Sequence, residues 1–169
     1  MHKIEIIKAD ITLLHVDAIV NAANNSLMGG GGVDGAIHRS AGKELAKECR
    51  TLKGCATGQA KITKGYNLPA KFVIHTVGPV WNNGTENEEK LLSSCYKTAL
   101  QLANENNIKT LAFPSISTGA YRFPFDKAAQ IAYNTITDFL KNNVIMGKVF
   151  LVCFSDKDVE QMKRAIGKL

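Results

Sequence analysis

"DAIVNAANNSLMGGGGVDGAIH" (Asp17–His38) joins an apolar run, four consecutive glycines and the start of a helical pattern within 22 residues. The run "DAIVNA" reads as a strand. After Gly29–Gly32, apolar residues recur at intervals of three or four: Val33, Ile37, Ala41, Leu45, Cys49 and Leu52. That spacing places them on one helical face. Strand, loop and helix in this order begin a parallel crossover unit. Glycine loses more backbone freedom on folding than any other residue, so four in a row imply a close approach to the main chain.

The rest of the chain repeats the alternation. "KIEII", "AKIT", "FVIHTV", "TLAFPS" and "VFLVCF" read as further strands, and the last three are apolar on consecutive residues, as central strands covered on both faces are. Leu92, Cys95, Ala99 and Leu102 mark a helix. Ala128, Ile131, Thr135 and Phe139 mark another, and Val159, Met162 and Ile166 a last one. The pattern predicts an α/β fold: a three-layer α/β/α sandwich around a central mixed, largely parallel sheet. The early strands, less regularly separated by helices, supply the antiparallel edge. A length of 169 residues with 45% hydrophobic side chains fits a single domain over 1–169.

Composition narrows the function. The opening "MHKIEIIKAD" alternates charged and apolar side chains, unlike a signal peptide, and no apolar stretch is long enough to span a bilayer. A cytoplasmic protein without a membrane partner is expected. Cys49, Cys55, Cys95 and Cys153 form no CxxC pair and read as small buried hydrophobes, so neither a metal nor a cofactor is expected. The net charge of +6 favours an anionic partner, either a phosphorylated small molecule or nucleic acid. No extended apolar heptad stands out, which favours a monomer.

Open α/β sheets bind ligands at the carboxyl ends of their strands, here Asn21–Asp34, Ser115–Phe123 and Phe154 onward. The glycine run offers backbone N–H groups at a helix start to an anion, although it matches neither GxGxxG nor GK[ST]. Asp34 reads first as the helix N-cap, a position that also suits an ionised carboxylate. Asn21, Asn24 and Asn25 are loop formers whose amides also suit sugar hydroxyls. In "PSISTGAYRFP", Ser117, Thr118 and Gly119 suit the second side of a phosphate clamp, and Tyr121 and Phe123 can pack over a ribose, with Pro124 opening the next helix. His38 and His75 read as packed, hydrogen-bonded histidines.

Taken together, "IVNAANNSLMGGGGVDGAIHRSAG" (Ile19–Gly42), "HTVGPVW" (His75–Trp81) and "FPSISTGAYRFP" (Phe113–Pro124) resemble the macrodomain family, in its MacroD-type branch. The resemblance runs from "IKADIT" to "VCF". It implies binding of ADP-ribose, with removal of mono-ADP-ribose from acidic side chains and deacetylation of O-acetyl-ADP-ribose. By that resemblance Asp10 would hydrogen-bond the adenine amino group, Ile11 would lie beside the ring, and Phe154 would pack against it. Gly31, Gly32 and Val33 would face Ser117, Thr118, Gly119 and Ala120 across the diphosphate. Asn24 would fix the distal ribose hydroxyls and Tyr121 would shape that pocket, with Asn21 also counted among the substrate-binding residues. Asp34 would orient or activate the attacking water, unless the substrate's own phosphate is the base. Arg122 departs from the family pattern, which commonly has a small residue, often glycine, after the tyrosine. The alternatives are a non-catalytic ADP-ribose reader, a phosphatase of ADP-ribose phosphate and an RNA-binding module. Asp34 beside a matching Asn24 argues for the hydrolase, since a reader needs no acid there.

Overall fold

The computed structural model describes residues 3–169; Met1 and His2, the first two residues of the alternating stretch "MHKIEIIKAD", lie outside them. Six strands, β1 (Ile4–Lys8), β2 (Ala18–Ala22), β3 (Ala60–Lys64), β4 (Phe72–Thr76), β5 (Thr110–Phe113) and β6 (Lys148–Cys153), form one sheet in the order β1-β6-β5-β2-β4-β3. All neighbours pair in parallel except β3 with β4, so the antiparallel edge is β3. Five helices flank the sheet: α1 (Gly32–Ala41), α2 (Lys43–Thr51), α3 (Glu88–Glu105), α4 (Phe125–Leu140) and α5 (Asp156–Gly167).

Alternation along each strand feeds two separate cores. From β2, Ala18 and Val20 pack with α3, α4 and α5, whereas Ile19 packs with α1 and α2. In β5, Leu111 and Phe113 join the first core and Ala112 the second. Strands apolar on successive residues are therefore needed here, because both faces are covered. The four cysteines are free and buried among these layers. Burial pushes the thiols of Cys49, Cys95 and Cys153 up to about 11, so they behave as neutral space fillers.

Two local expectations are corrected. The stripe from Val33 to Leu52 is divided between α1 and α2 at Gly42, whose φ of 88° and ψ of 175° end one helix and start the next. A Cβ there would also meet the Asn67 amide nitrogen at 2.8 Å. The stripe of α4 is rotated from the expected one: Ala128, Ala129, Ala132 and Ile136 are buried, while Ile131, Thr135 and Phe139 are half-buried at its margin. The Thr135 hydroxyl instead meets that of Ser93 on α3, 2.9 Å away.

This topology creates a crevice. The chain leaving β2 turns to α1 on one face, and the chain leaving the adjacent β5 turns to α4 on the other. Their two loops diverge over the carboxyl edge of the sheet, the arrangement that opens a ligand cleft in α/β folds.

Candidate active site

The crevice holds a cavity of about 290 Å³. One wall is the β2–α1 loop with Asn24, Gly30 and Gly31, continued by Gly32, Val33 and Asp34 of α1. The other is the β5–α4 loop with Ile116, Ser117, Gly119, Ala120 and Tyr121, and Gly78 from the β4–α3 loop contributes between them. The structure thus brings Asn24, Gly31, Gly32, Val33, Asp34, Ser117, Gly119, Ala120 and Tyr121 together.

The glycines have different causes. Gly29 and Gly32 adopt φ of +97° and +56°, so backbone angle alone favours glycine there. Gly31 has an ordinary φ of −93°, and a Cβ on it would meet no protein atom within 4 Å. Within the glycine run, where a Cβ at Gly30 would lie 3.1 Å from Asp34 Oδ2, Gly31 is the position at which the fold itself makes no demand for glycine, and it lines the cavity. Gly31 is also the α1 N-cap and has no side-chain cap hydrogen bond, leaving the helix start available to an anion. Asp34 is therefore not the N-cap: it lies in the first turn, with its carboxylate turned to Asn21.

Asp34 is 5% exposed. Its Oδ1 accepts a hydrogen bond from Asn21 Nδ2 at 2.8 Å, and His38 Nε2, one turn along α1, stands 3.5 Å from the same oxygen. Asn21, expected to touch substrate, is instead fully buried at the end of β2 and does not line the cavity. Its Nδ2 also lies 3.1 Å from Nδ1 of His75 on β4. Asn24 has its amide largely engaged within its own loop: Nδ2 donates to the Gly29 carbonyl (2.8 Å), and Oδ1 accepts from Ser26 Oγ (2.7 Å) and from the Leu27 N–H (3.2 Å). One Asn24 N–H remains free for a ligand.

On the opposite wall, Ser117 takes φ +67° and buries its Oγ without a hydrogen-bond partner among the described residues. The space it fills exists because residue 78 is glycine; a Cβ at Gly78 would collide with Ser117 Oγ and lie 2.7 Å from Ile116 Cγ2. Two expectations on this loop are corrected. Thr118 does not line the cavity, since its hydroxyl donates within the loop, to the Ser115 carbonyl at 3.0 Å or to Ser115 Oγ at 2.8 Å. Phe123 is 2% exposed, packs on Trp81 with ring centroids 4.7 Å apart, and does not line the cavity. Pro124 is the α4 N-cap, just before the helix. Arg122 is exposed in the left-handed region, φ +62°, a conformation glycine adopts without strain.

Asp10, Ile11 and Phe154 lie outside this cavity, at the ends of the neighbouring strands β1 and β6, which the Ala9 N–H to Cys153 carbonyl bond (3.0 Å) holds together. Phe154 is 67% exposed, free to receive a planar ligand. Asp10 caps a short turn at Ile11–Leu13, accepting from the Thr12 N–H (3.0 Å) and hydroxyl (2.6 Å). The Ile11 side chain is packed in the α1–α2 core, so only its backbone can meet a ligand.

Ala22, Ala23, Gly30, Gly78 and Ile116 complete the cavity; of these the sequence marks only Gly30, as part of the glycine run, while His75, read as a packed, hydrogen-bonded histidine, is buried behind the cavity and hydrogen-bonded. The glycine-proline pair directly after β4 was the available signal for Gly78; nothing local marks Ile116.

Burial, and secondarily the nearby His38, lower the pKa of His75 from 6.5 to about 3, so its ring is neutral at physiological pH. The unfolded chain takes up a proton at this residue below pH 6.5 that the folded chain refuses. Stability from this group is therefore complete above pH 6.5 and declines by about 1.4 kcal/mol per unit as the pH falls towards 3. Urea unfolding at pH 7, 6 and 5 should show a slope about one proton smaller in His75→Asn than in the wild type.

The comparisons with known proteins agree with this geometry. A family model described as "Macro domain" matches residues 20–132. The chain is 56% identical over 167 residues to a Macro domain-containing protein of Methanosarcina mazei, covering 99% of this chain and 89% of that one. It is 54% identical over 170 residues to the ADP-ribose glycohydrolase MACROD2 of Homo sapiens, covering 98% of this chain and 40% of that longer protein. The solved Oceanobacillus iheyensis macrodomain with ADP matches with a TM-score of 0.93 at 45% identity, over 98% of this chain and 90% of that one. The Trypanosoma brucei macrodomain in complex with ADP-ribose matches with a TM-score of 0.91 at 40% identity, over 98% and 69%.

Proposed function

The chain belongs to the macrodomain family, and from that premise we propose that it binds ADP-ribose and hydrolyses ADP-ribosyl esters, on glutamate or aspartate side chains of proteins and in O-acetyl-ADP-ribose. The observation that carries the reading is the Asp34 carboxylate, held by Asn21 in the wall of the cavity beside a bare helix start. A pure binding module has no need of a buried acid at that point.

From the ends of β1 and β6 to that of β2 is two to three strand spacings, roughly 10–15 Å. An extended nucleoside diphosphate ribose suits this span. Its adenine would lie against Phe154 near Asp10, and its diphosphate between Gly31–Val33 and the loop around Ser117–Ala120. The distal ribose would lie at Asn24 and Tyr121. The uncapped N–H groups of α1 favour the phosphate charge. Asp34 would then hold a water for attack on the ester, accepting its proton, with the ribose fixed by Asn24. General base assistance contributes about 10²–10⁴-fold, and fixing water and ester together contributes beyond that. The human relative called an ADP-ribose glycohydrolase and the solved complexes with ADP and ADP-ribose support the same substrate class.

The test follows release of ADP-ribose from a protein mono-ADP-ribosylated on glutamate, and of acetate from O-acetyl-ADP-ribose, with ADP-ribose binding measured by calorimetry. Turnover of either ester together with saturable binding is expected. Binding without turnover of either would leave a reader, and no binding would remove both.

A further inference from the structure

We propose that His75 is a positioning residue: as a neutral ring protonated on Nε2, it fixes the orientation of the Asn21 amide, which in turn fixes the Asp34 carboxylate. Its kinetic consequence rests on the hydrolase reading; its structural content does not.

Asn21 and His75 are paired across β2 and β4. Asn21 Nδ2 lies 2.8 Å from Asp34 Oδ1 and 3.1 Å from His75 Nδ1. An amide nitrogen carries two hydrogens and accepts none, so it donates to both. His75 Nδ1 must then be bare, which places the ring proton on Nε2. That nitrogen is 2.9 Å from Thr63 Oγ1 on β3, and Thr63 Oγ1 is 3.1 Å from the Lys64 carbonyl oxygen. The hydroxyl therefore accepts from His75 and donates its own proton to Lys64. Cys49 Sγ stands 3.8 Å from His75 Nε2, a longer and weaker contact than the 2.9 Å to Thr63 Oγ1, so Thr63 is the principal destination of the ring proton in the series Thr63, His75, Asn21, Asp34.

The series decides a choice that Asn21 alone leaves open. The terminal torsion of an asparagine is roughly two-fold, so its amide can present either nitrogen or oxygen. The reversed amide would set an oxygen 2.8 Å from the Asp34 carboxylate with no proton between them. A bare Nδ1 rejects that state from the other side, because it too lacks a proton to give. Thr63 in turn selects the tautomer that leaves Nδ1 bare. Asn21 Oδ1 is left without a partner among the described residues, as expected if the two donated bonds set the orientation. Asn21, Thr63 and His75 are each at most 2% exposed, which keeps water from substituting for any member.

Two kinds of measurement test this on the full chain. Long-range ¹H–¹⁵N spectra of the labelled protein should show His75 Nδ1 unprotonated and Nε2 protonated. His75→Leu, which removes the acceptor, should lower kcat for ester hydrolysis ~10- to 100-fold while the ADP-ribose Kd stays within about threefold. His75→Asn, whose carbonyl can accept from Asn21, should recover most of that loss. Thr63→Val, nearly isosteric and away from the cavity, should shift the ring towards the Nδ1-protonated tautomer and lower kcat several-fold, which keeps the test valid if the leucine variant does not fold. A wild-type ring protonated on Nδ1, a folded leucine variant with unchanged kcat, or no recovery in His75→Asn overturns the proposal. If the wild type hydrolyses neither ester, the hydrolase reading fails separately. The Asp34 carboxyl carbon and Asn21 side-chain resonances then decide: displacement in Thr63→Val supports the positioning role, and unmoved resonances overturn it.

Discussion

Asp34→Asn should lower hydrolysis of a glutamate-linked ADP-ribosyl ester by about 10²–10⁴-fold and leave ADP-ribose binding within about threefold. The substitution is isosteric, so an amide oxygen at the Oδ1 position still accepts from Asn21 Nδ2, now 2.8 Å from the carboxylate. The fold around residue 34 loses little. What disappears is the negative charge and with it the ability to take a proton from water. Single-turnover release of ADP-ribose, set beside calorimetric binding, separates the two effects. A variant that turns over at the wild-type rate would assign the base to the diphosphate of the substrate instead.

Gly35→Ala should destabilise the protein by about 1–3 kcal/mol and reduce kcat/KM by roughly 100-fold. Intrinsic preference alone predicts the reverse, since alanine is favoured over glycine within a helix by about 1 kcal/mol. Packing decides against it. A Cβ on Gly35 would collide with the backbone oxygen of Gly30 and approach Arg39 Nη1 to 3.1 Å. An arginine can swing aside, but the Gly30 carbonyl belongs to the cavity wall. Relieving the contact moves the glycine loop away from α1, and with it the surface on which the diphosphate would lie. Urea midpoints and steady-state kinetics on the same preparation measure both effects. A variant as stable and active as the wild type would show that this loop yields freely, and that its geometry does not set the rate.

Much of this was legible in the sequence, for reasons that also mark where legibility stopped. The six strands are readable because their apolar runs are short and bounded, and β4, β5 and β6 are apolar on successive residues. The α1–α2 break was missed because hydrophobic spacing continues through Gly42, and only its φ of 88° reveals the interruption. The glycine run was readable as a close-approach loop. Its division into Gly29 and Gly32, required by backbone angle, and Gly31, required by no protein atom, depends on three-dimensional neighbours. Asn21 was singled out for its residue type, yet whether an amide faces ligand or protein depends on which side of β2 it occupies. Thr63 and His75 carried no signal for a linked role, since they lie on different strands and meet only when β3 pairs with β4.

The edge position of β3 bears on the fraction of molecules in which the site is fully assembled. Outer strands, hydrogen-bonded on one side only, are among the first segments to open in sub-global fluctuations. Thr63 belongs to that strand and abuts His75. Each excursion of β3 therefore releases the far end of the series that ends on Asp34. The free energy of opening β3, measurable by amide hydrogen exchange, sets the fraction of molecules in which the series is intact, and the global unfolding free energy does not.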